Sequence, residues 1–340
     1  MSVGPTGPQG SAQPELAQSK PTQSELMQAA VGESPPAPPA PSPLHRIFVG
    51  PDGLRPGWGV LMFIALVAAI GWVLRIVLAR VPHSHPDPAS ATALEIGEGV
   101  SVLIIMIATA IMARIEGRSV LDYGLRDARW GSRFAAGALW GFILISGLVG
   151  LLYVLGFLSF DGLLLHGSTV AVDALWLGLG FLLVGLTEEI GTRGYLLSTL
   201  ARGIGFWPAA VLTSIAFGAL HLANPGEGPY GAFIAGLAGF VFCVTLYRTG
   251  SLWWGIGAHL AWDWGQSYFY GVPDSGSMVN GHLMATHPMG PAWLSGGAVG
   301  PEGSIFALVA FGAVVPIILL TTRGRGTTPP SSAPPASLPA

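Results

Sequence analysis

Eight apolar runs separated by short polar connections decide what this chain can fold into. They cover residues 58–78, 93–113, 134–158, 172–200, 207–222, 230–247, 252–270 and 304–321. A helix needs about 20 apolar residues to cross the hydrocarbon core of a bilayer. The expected fold is therefore all-α, a polytopic membrane helical bundle with about eight transmembrane helices. Composition agrees: 51% of the 340 residues are hydrophobic and only 10% are charged. Soluble domains carry about 25% charged residues.

The flanks read differently. Residues 1–45 are rich in Pro, Gln and Ser, bury too little apolar surface to offset ordering entropy, and are expected to be disordered. A proline-rich ligand for a partner is the alternative for this stretch. It contains no basic n-region followed by an apolar h-region, so the first run is expected to serve as the targeting signal. Residues 46–323 form the expected transmembrane domain, and 324–340 a second disordered tail. Cys243 is the only cysteine, so no intramolecular disulfide and no CxxC motif can form. A net charge of −3 gives no reason to expect a nucleic-acid partner. His83 and His85 sit in a proline-rich loop without a third ligand nearby and read as solvated.

Basic residues set the expected orientation, because cytoplasmic loops carry the excess of lysine and arginine. With eight spans, Lys20, Arg46, Arg55, Arg114, Arg118, Arg126, Arg129, Arg133, Arg202, Arg248, Arg323 and Arg325 all fall on one side. Asp161, Glu227, Asp274 and Glu302 fall on the other, with Arg75 and Arg80 as exceptions. Both termini are then cytoplasmic, in an integral protein expected in the cell membrane and surrounded by lipid.

Three segments place ionisable groups inside apolar runs, where each charge is costly and calls for a function. The fourth run carries Glu188, Glu189 and Arg193, the fifth Phe217 and His221, the seventh His259 and Asp263. At 1.5 Å per residue, Glu188 lies about 21 Å, His221 about 20 Å and Asp263 about 18 Å above the cytoplasmic ends, compatible with one site. Glu189 and Arg193 are four apart and can pair. Glu188 is rotated about 100° from Glu189 and can face elsewhere. His259 and Asp263 have the spacing by which a carboxylate fixes an imidazole tautomer. Phe217 and the tryptophans at 253, 254, 262 and 264 read as packing and interface residues. Gly185, Gly191, Gly194 and Gly218 are small positions that let helices approach closely.

Taken in order, Glu188-Glu189-x-x-x-Arg193, Phe217-x-x-x-His221 and His259-x-x-x-Asp263 resemble the motifs of the CAAX-protease and bacteriocin-processing family of intramembrane endopeptidases, related to the type II CAAX prenyl endopeptidase. The resemblance covers roughly residues 172–270, and the stretch from Glu116 to Arg126 resembles the loop that often precedes this region. It implies hydrolysis of peptide bonds in membrane-associated protein or peptide substrates. Carried over, Glu188 is the base that activates water, assisted by His221. His259 and Asp263 hold the water or polarise the carbonyl, and Glu189 and Arg193 support the site.

One position departs from the pattern: the prenyl endopeptidases typically have asparagine where this chain has Asp263. An ionised aspartate cannot donate to an oxyanion. It must be protonated, orient His259 or bind a cation. The resemblance is thus compatible with a metal-free glutamate-type mechanism or with a divalent metal, zinc for instance, on Glu188, His221, His259 and Asp263. The metal-free form is preferred, since no HExxH motif is present. Two other classes stay open: an ion- or proton-coupled transporter, and a catalytically silent immunity or scaffold protein of the same fold. The first usually shows an internal repeat with broken helices, and no second Glu-Glu-x-x-x-Arg segment occurs.

Overall fold

The computed structural model describes Gly4 and residues 47–50, 53–80 and 86–322. The two tails expected to be disordered, and the His83–His85 pair, lie outside the described residues apart from Gly4. From residue 47 onward the chain forms one compact unit.

Among the described residues, nine α-helices of eight residues or more build it: α1 (Pro56–Leu78), α2 (Ala91–Ile115), α3 (Trp130–Val154), α4 (Ser168–Glu189), α5 (Leu197–Ile204), α6 (Phe206–His221), α7 (Pro229–Thr249), α8 (Trp253–Trp264) and α9 (Ala307–Thr321). A π-helical turn, Ile190–Leu196, joins α4 to α5, and a second, Gly265–Phe269, extends α8. The polytopic helical bundle read from the apolar runs is the fold that forms. Helices α1, α2, α3, α7 and the continuous α4–α5 rod are long and apolar enough to cross a membrane. The remaining apolar runs give shorter helices of 16, 12 and 15 residues in α6, α8 and α9. The chain turns at Gly205, which takes a φ of 84° between α5 and α6. At the other end α6 stops at His221, and the chain folds over the bundle instead of continuing outward.

Glycine sets the spacing at the centre. A Cβ added to Gly137 of α3 would lie 2.0 Å from the Trp254 carbonyl oxygen, and one on Gly141 would lie 2.3 Å from that of Ala258. The reciprocal contact puts a Cβ on Gly257 2.1 Å from the Phe134 carbonyl. Helices α3 and α8 therefore touch backbone to backbone. Gly218 does the same for α6 against α7, 2.2 Å from the Ala232 carbonyl. Gly185 faces α8 more loosely, at 3.3 Å from Ile256 O, and Gly191 meets only the tip of Ile105. Gly194 works differently: its ψ of −109° is the break within the π turn. Gly141→Ala should destabilise the bundle by at least about 1–3 kcal/mol, the usual cost of overpacking. Gly147→Ala on the same helix meets nothing within 4 Å and is the control. Thermal unfolding in detergent, followed by tryptophan fluorescence, reads the difference.

Two features lay outside the helical reading. Strands β1 (Val49–Gly50) and β2 (Gly53–Leu54) form a short hairpin before α1. Strand β3 (Leu158–Leu163), directly after α3, pairs antiparallel with β4 (Met284–Pro288). That pairing anchors the long Gly/Pro-rich connection between α8 and α9, which folds back over the bundle.

Candidate functional site

Glu188 and Glu189 are the last two residues of α4, and the π turn begins at the next position. Such insertions change the direction of side chains along a helix and recur at functional sites. The two neighbours point into different surroundings. Glu189 is 1% exposed, whereas the Glu188 side chain is 28% exposed and lines a cavity of about 210 Å³.

Glu189 is held from two sides. Its Oε1 accepts from Arg193 Nη1 at 2.6 Å and lies 3.1 Å from His259 Nδ1. The Arg193 guanidinium also donates from Nε to the Gly239 carbonyl at 3.3 Å. Its flat face covers the Phe217 ring at 4.6 Å and approaches that of Phe242 at 5.4 Å. The ring of Phe217 thus packs on a cation as well as on the core. Cation–π contact and a charge-assisted bond together offset the removal of the guanidinium from water.

His259 sits among three carboxylates. With Nδ1 facing Glu189, its Nε2 lies 3.3 Å from Glu188 Oε2 and 3.5 Å from Asp263 Oδ2. The ring stacks on Phe242 with centroids 5.3 Å apart. Asp263 reaches Nε2 across the spacing of four, on the cavity side with Glu188, while Glu189, closer and fixed by Arg193, faces Nδ1.

His221 arrives by another route. Its Nδ1 lies 2.8 Å from the Phe217 carbonyl. A carbonyl only accepts, so Nδ1 carries the proton and Nε2 of the neutral ring is left as an acceptor. His221 lines the same cavity as Glu188, His259 and Asp263. The six side chains singled out in the sequence therefore collect around one cavity: Glu188, His259, Asp263 and His221 on its wall, Glu189 and Arg193 directly behind.

The rest of the wall was not anticipated. Asn224 and Glu227 enter from the turn after α6, and Asp274, Ser275, Ser277 and Glu302 from the connection between α8 and α9. Glu302 Oε1 accepts from the Ser275 backbone N–H at 2.5 Å and its hydroxyl at 2.9 Å, closing that connection on itself. Burial, and then the nearby Glu302 and Glu188, push the Asp274 carboxyl well above the ordinary carboxylate range. Burial likewise raises Glu302 and Glu227. In sequence these acids marked only the arginine-poor side. Nothing in a Gly/Pro-rich loop of irregular spacing signals that it dips back into a cavity.

The arginine-rich end is fixed by Glu116, which follows α2. It accepts from the Tyr195 hydroxyl at 2.6 Å, from Arg202 at 2.7 Å and from the Tyr123 hydroxyl at 3.2 Å. Tyr195 belongs to the π turn, so the loop at 116–126 is tied to the element that carries the acidic pair.

A cation would find carboxylates and an imidazole nitrogen at Glu188, Asp263 and His259. Among the described residues, no three His, Cys, Asp or Glu side chains are already gathered in a metal-holding arrangement.

Residues 169–265 match the family model described as Type II CAAX prenyl endopeptidase Rce1-like, in agreement with the resemblance carried by the three motifs. The match spans Glu188, Glu189, Arg193, Phe217, His221, His259 and Asp263. It supports a CAAX-type intramembrane protease in general terms. Together with the five long apolar helices, it supports an integral membrane protein. No curated protein and no solved structure matches the chain.

Proposed function

We propose that the protein is an intramembrane endopeptidase in which Glu188 activates water for attack on a peptide bond of a membrane-associated protein or peptide. The single observation that carries this reading is the pairing of a cavity-facing carboxylate with His259, itself held by the buried Glu189–Arg193 pair. Glu188 takes a proton from water as the oxygen attacks the scissile carbonyl carbon. The C–N bond then breaks, and the proton passes to the departing amine. His259, steadied by Glu189, keeps the Glu188 carboxylate in place, and His221 Nε2 accepts from the water or the leaving group.

Asp263 serves best as a protonated donor or as a second holder of His259. If a divalent metal takes part, Glu188, His221, His259 and Asp263 are the side chains that would have to draw together to hold it, and it would supply Lewis-acid polarisation of the carbonyl. Both forms are hydrolases and both differ from a transporter or a silent scaffold.

The test is turnover in heavy-oxygen water. Purified protein is given a defined mixture of apolar peptides in detergent. Hydrolysis places one solvent oxygen in each new carboxylate, which mass spectrometry detects. A parallel reaction with a chelator is expected to retain activity if the mechanism is metal-free and to lose it if a metal takes part. No cleavage, by a preparation that also carries an ion or proton across vesicles, would reject the proposal in favour of transport.

A further inference from the structure

The cavity is placed unequally between the two ends of the bundle. Glu188 lies 16 residues before Ile204, the end of α5, which is about 24 Å of helix. The neighbouring α2 gives an independent measure. Thr187 Oγ1 meets the Glu98 carbonyl at 3.5 Å. Glu98 is 7 residues from the start of α2 at Ala91 and 17 from its end at Ile115, about 10 Å and about 26 Å. Along α2 the site thus lies well toward the end opposite the arginines, whereas along the α4–α5 rod, where Glu188 is 20 residues from Ser168, it lies near the middle.

The material on the two sides differs as well. Toward the arginine-rich end lies a packed apolar cluster that includes Ile190, Leu197, Phe206, Cys243, Leu246 and Ile256. Cys243 and Ile256 are fully buried, and side chains packed in this way leave few voids as large as a water molecule. Toward the other end the cavity is roofed only by loops: Asn224 and Glu227 on one side, and Asp274 to Val279 with Val299 to Glu302 on the other. Ser277, in that roof, is exposed while also lining the cavity.

Arg114, Arg118, Arg126, Arg129, Arg133, Arg202 and Arg248 all lie at or beyond the sealed ends of their helices. By the charge rule, that end is cytoplasmic. We infer that the site is reached from the extracytoplasmic face, through the roof formed by the connection between α8 and α9. Its substrates are then protein segments exposed on, or exported to, that face, not cytoplasmic ones. The substrate half of this inference rests on the hydrolase reading; the sidedness does not.

The experiment is cysteine labelling in sealed, right-side-out vesicles of expressing cells, using a membrane-impermeant maleimide–polyethylene glycol. Cys243 is fully buried, so the unaltered chain is the blank. Ser277→Cys is expected to shift on a gel in sealed vesicles. Ala128→Cys, exposed in the arginine-rich loop, is expected to shift only after permeabilisation. Ala292→Cys, exposed in the same connection, replaces Ser277→Cys if that variant fails to accumulate. Labelling of Ala128→Cys in sealed vesicles, or of Ser277→Cys and Ala292→Cys only after lysis, overturns the inference. The purified Ser277→Cys protein, once modified, should also lose peptide cleavage. Reversed labelling with cleavage still dependent on Glu188 would remove the sidedness and leave the hydrolase. The expected labelling in a protein that cleaves nothing would do the opposite.

Discussion

Glu188→Gln is expected to abolish measurable cleavage while leaving the fold intact. Loss of a positioned general base costs about 10²–10⁴-fold in rate, and the amide keeps the size of the side chain it replaces. The fold should tolerate the change, because Glu188 is partly exposed to the cavity and is held by no arginine. Thermal unfolding of the variant should therefore match the parent while turnover disappears. A variant that retained full turnover would show that another group activates the water. His221→Gln is expected to fall between the two, since it removes an acceptor on the cavity wall but not the base.

Arg193→Met has the opposite signature, with stability lost first. The substitution leaves the Glu189 carboxylate 1% exposed with only His259 as partner. Breaking a buried pair by removing one member typically costs about 3–5 kcal/mol. Glu189→Gln combined with Arg193→Met should recover much of that stability, because no uncompensated charge then remains. Activity should not return with it, since His259 has lost the anion that orients it. Arg193→Lys should rescue only in part: an ammonium can meet Glu189 but has no flat face to lay on Phe217 and Phe242. Unfolding temperature and turnover, measured on all four proteins in one detergent, separate these outcomes. Equal stability of parent and Arg193→Met would contradict the account given of the pair.

The helices and the core of the site were legible for one reason. In an apolar run a charged residue stands out, and helical spacing then says which neighbours it can reach. Glu189 and Arg193 pair as their separation of four indicates. What escaped was information that crosses between elements. That Glu189 reaches His259 depends on how α4 approaches α8, and Gly185 against Ile256 sets that approach. The packing of α3 on α8 rests on Gly137, Gly141 and Gly257, which look like any other glycines in a chain holding 49 of them. The pairing of β3 with β4 joins residues more than a hundred positions apart, through a connection whose composition suggests only a loop. The Glu95 and Glu98 side chains of α2 were also passed over, although Thr187 meets the backbone of the second.

The knot of hydroxyls and arginine around Glu116 has a mechanical corollary. Tyr195 is six positions beyond Glu189, just past the break at Gly194, so a push on the arginine-rich rim acts on the turn that follows the acidic pair. A lipid headgroup or a bound protein that drew Arg202 away from Glu116 would loosen that turn from below, without ever entering the cavity.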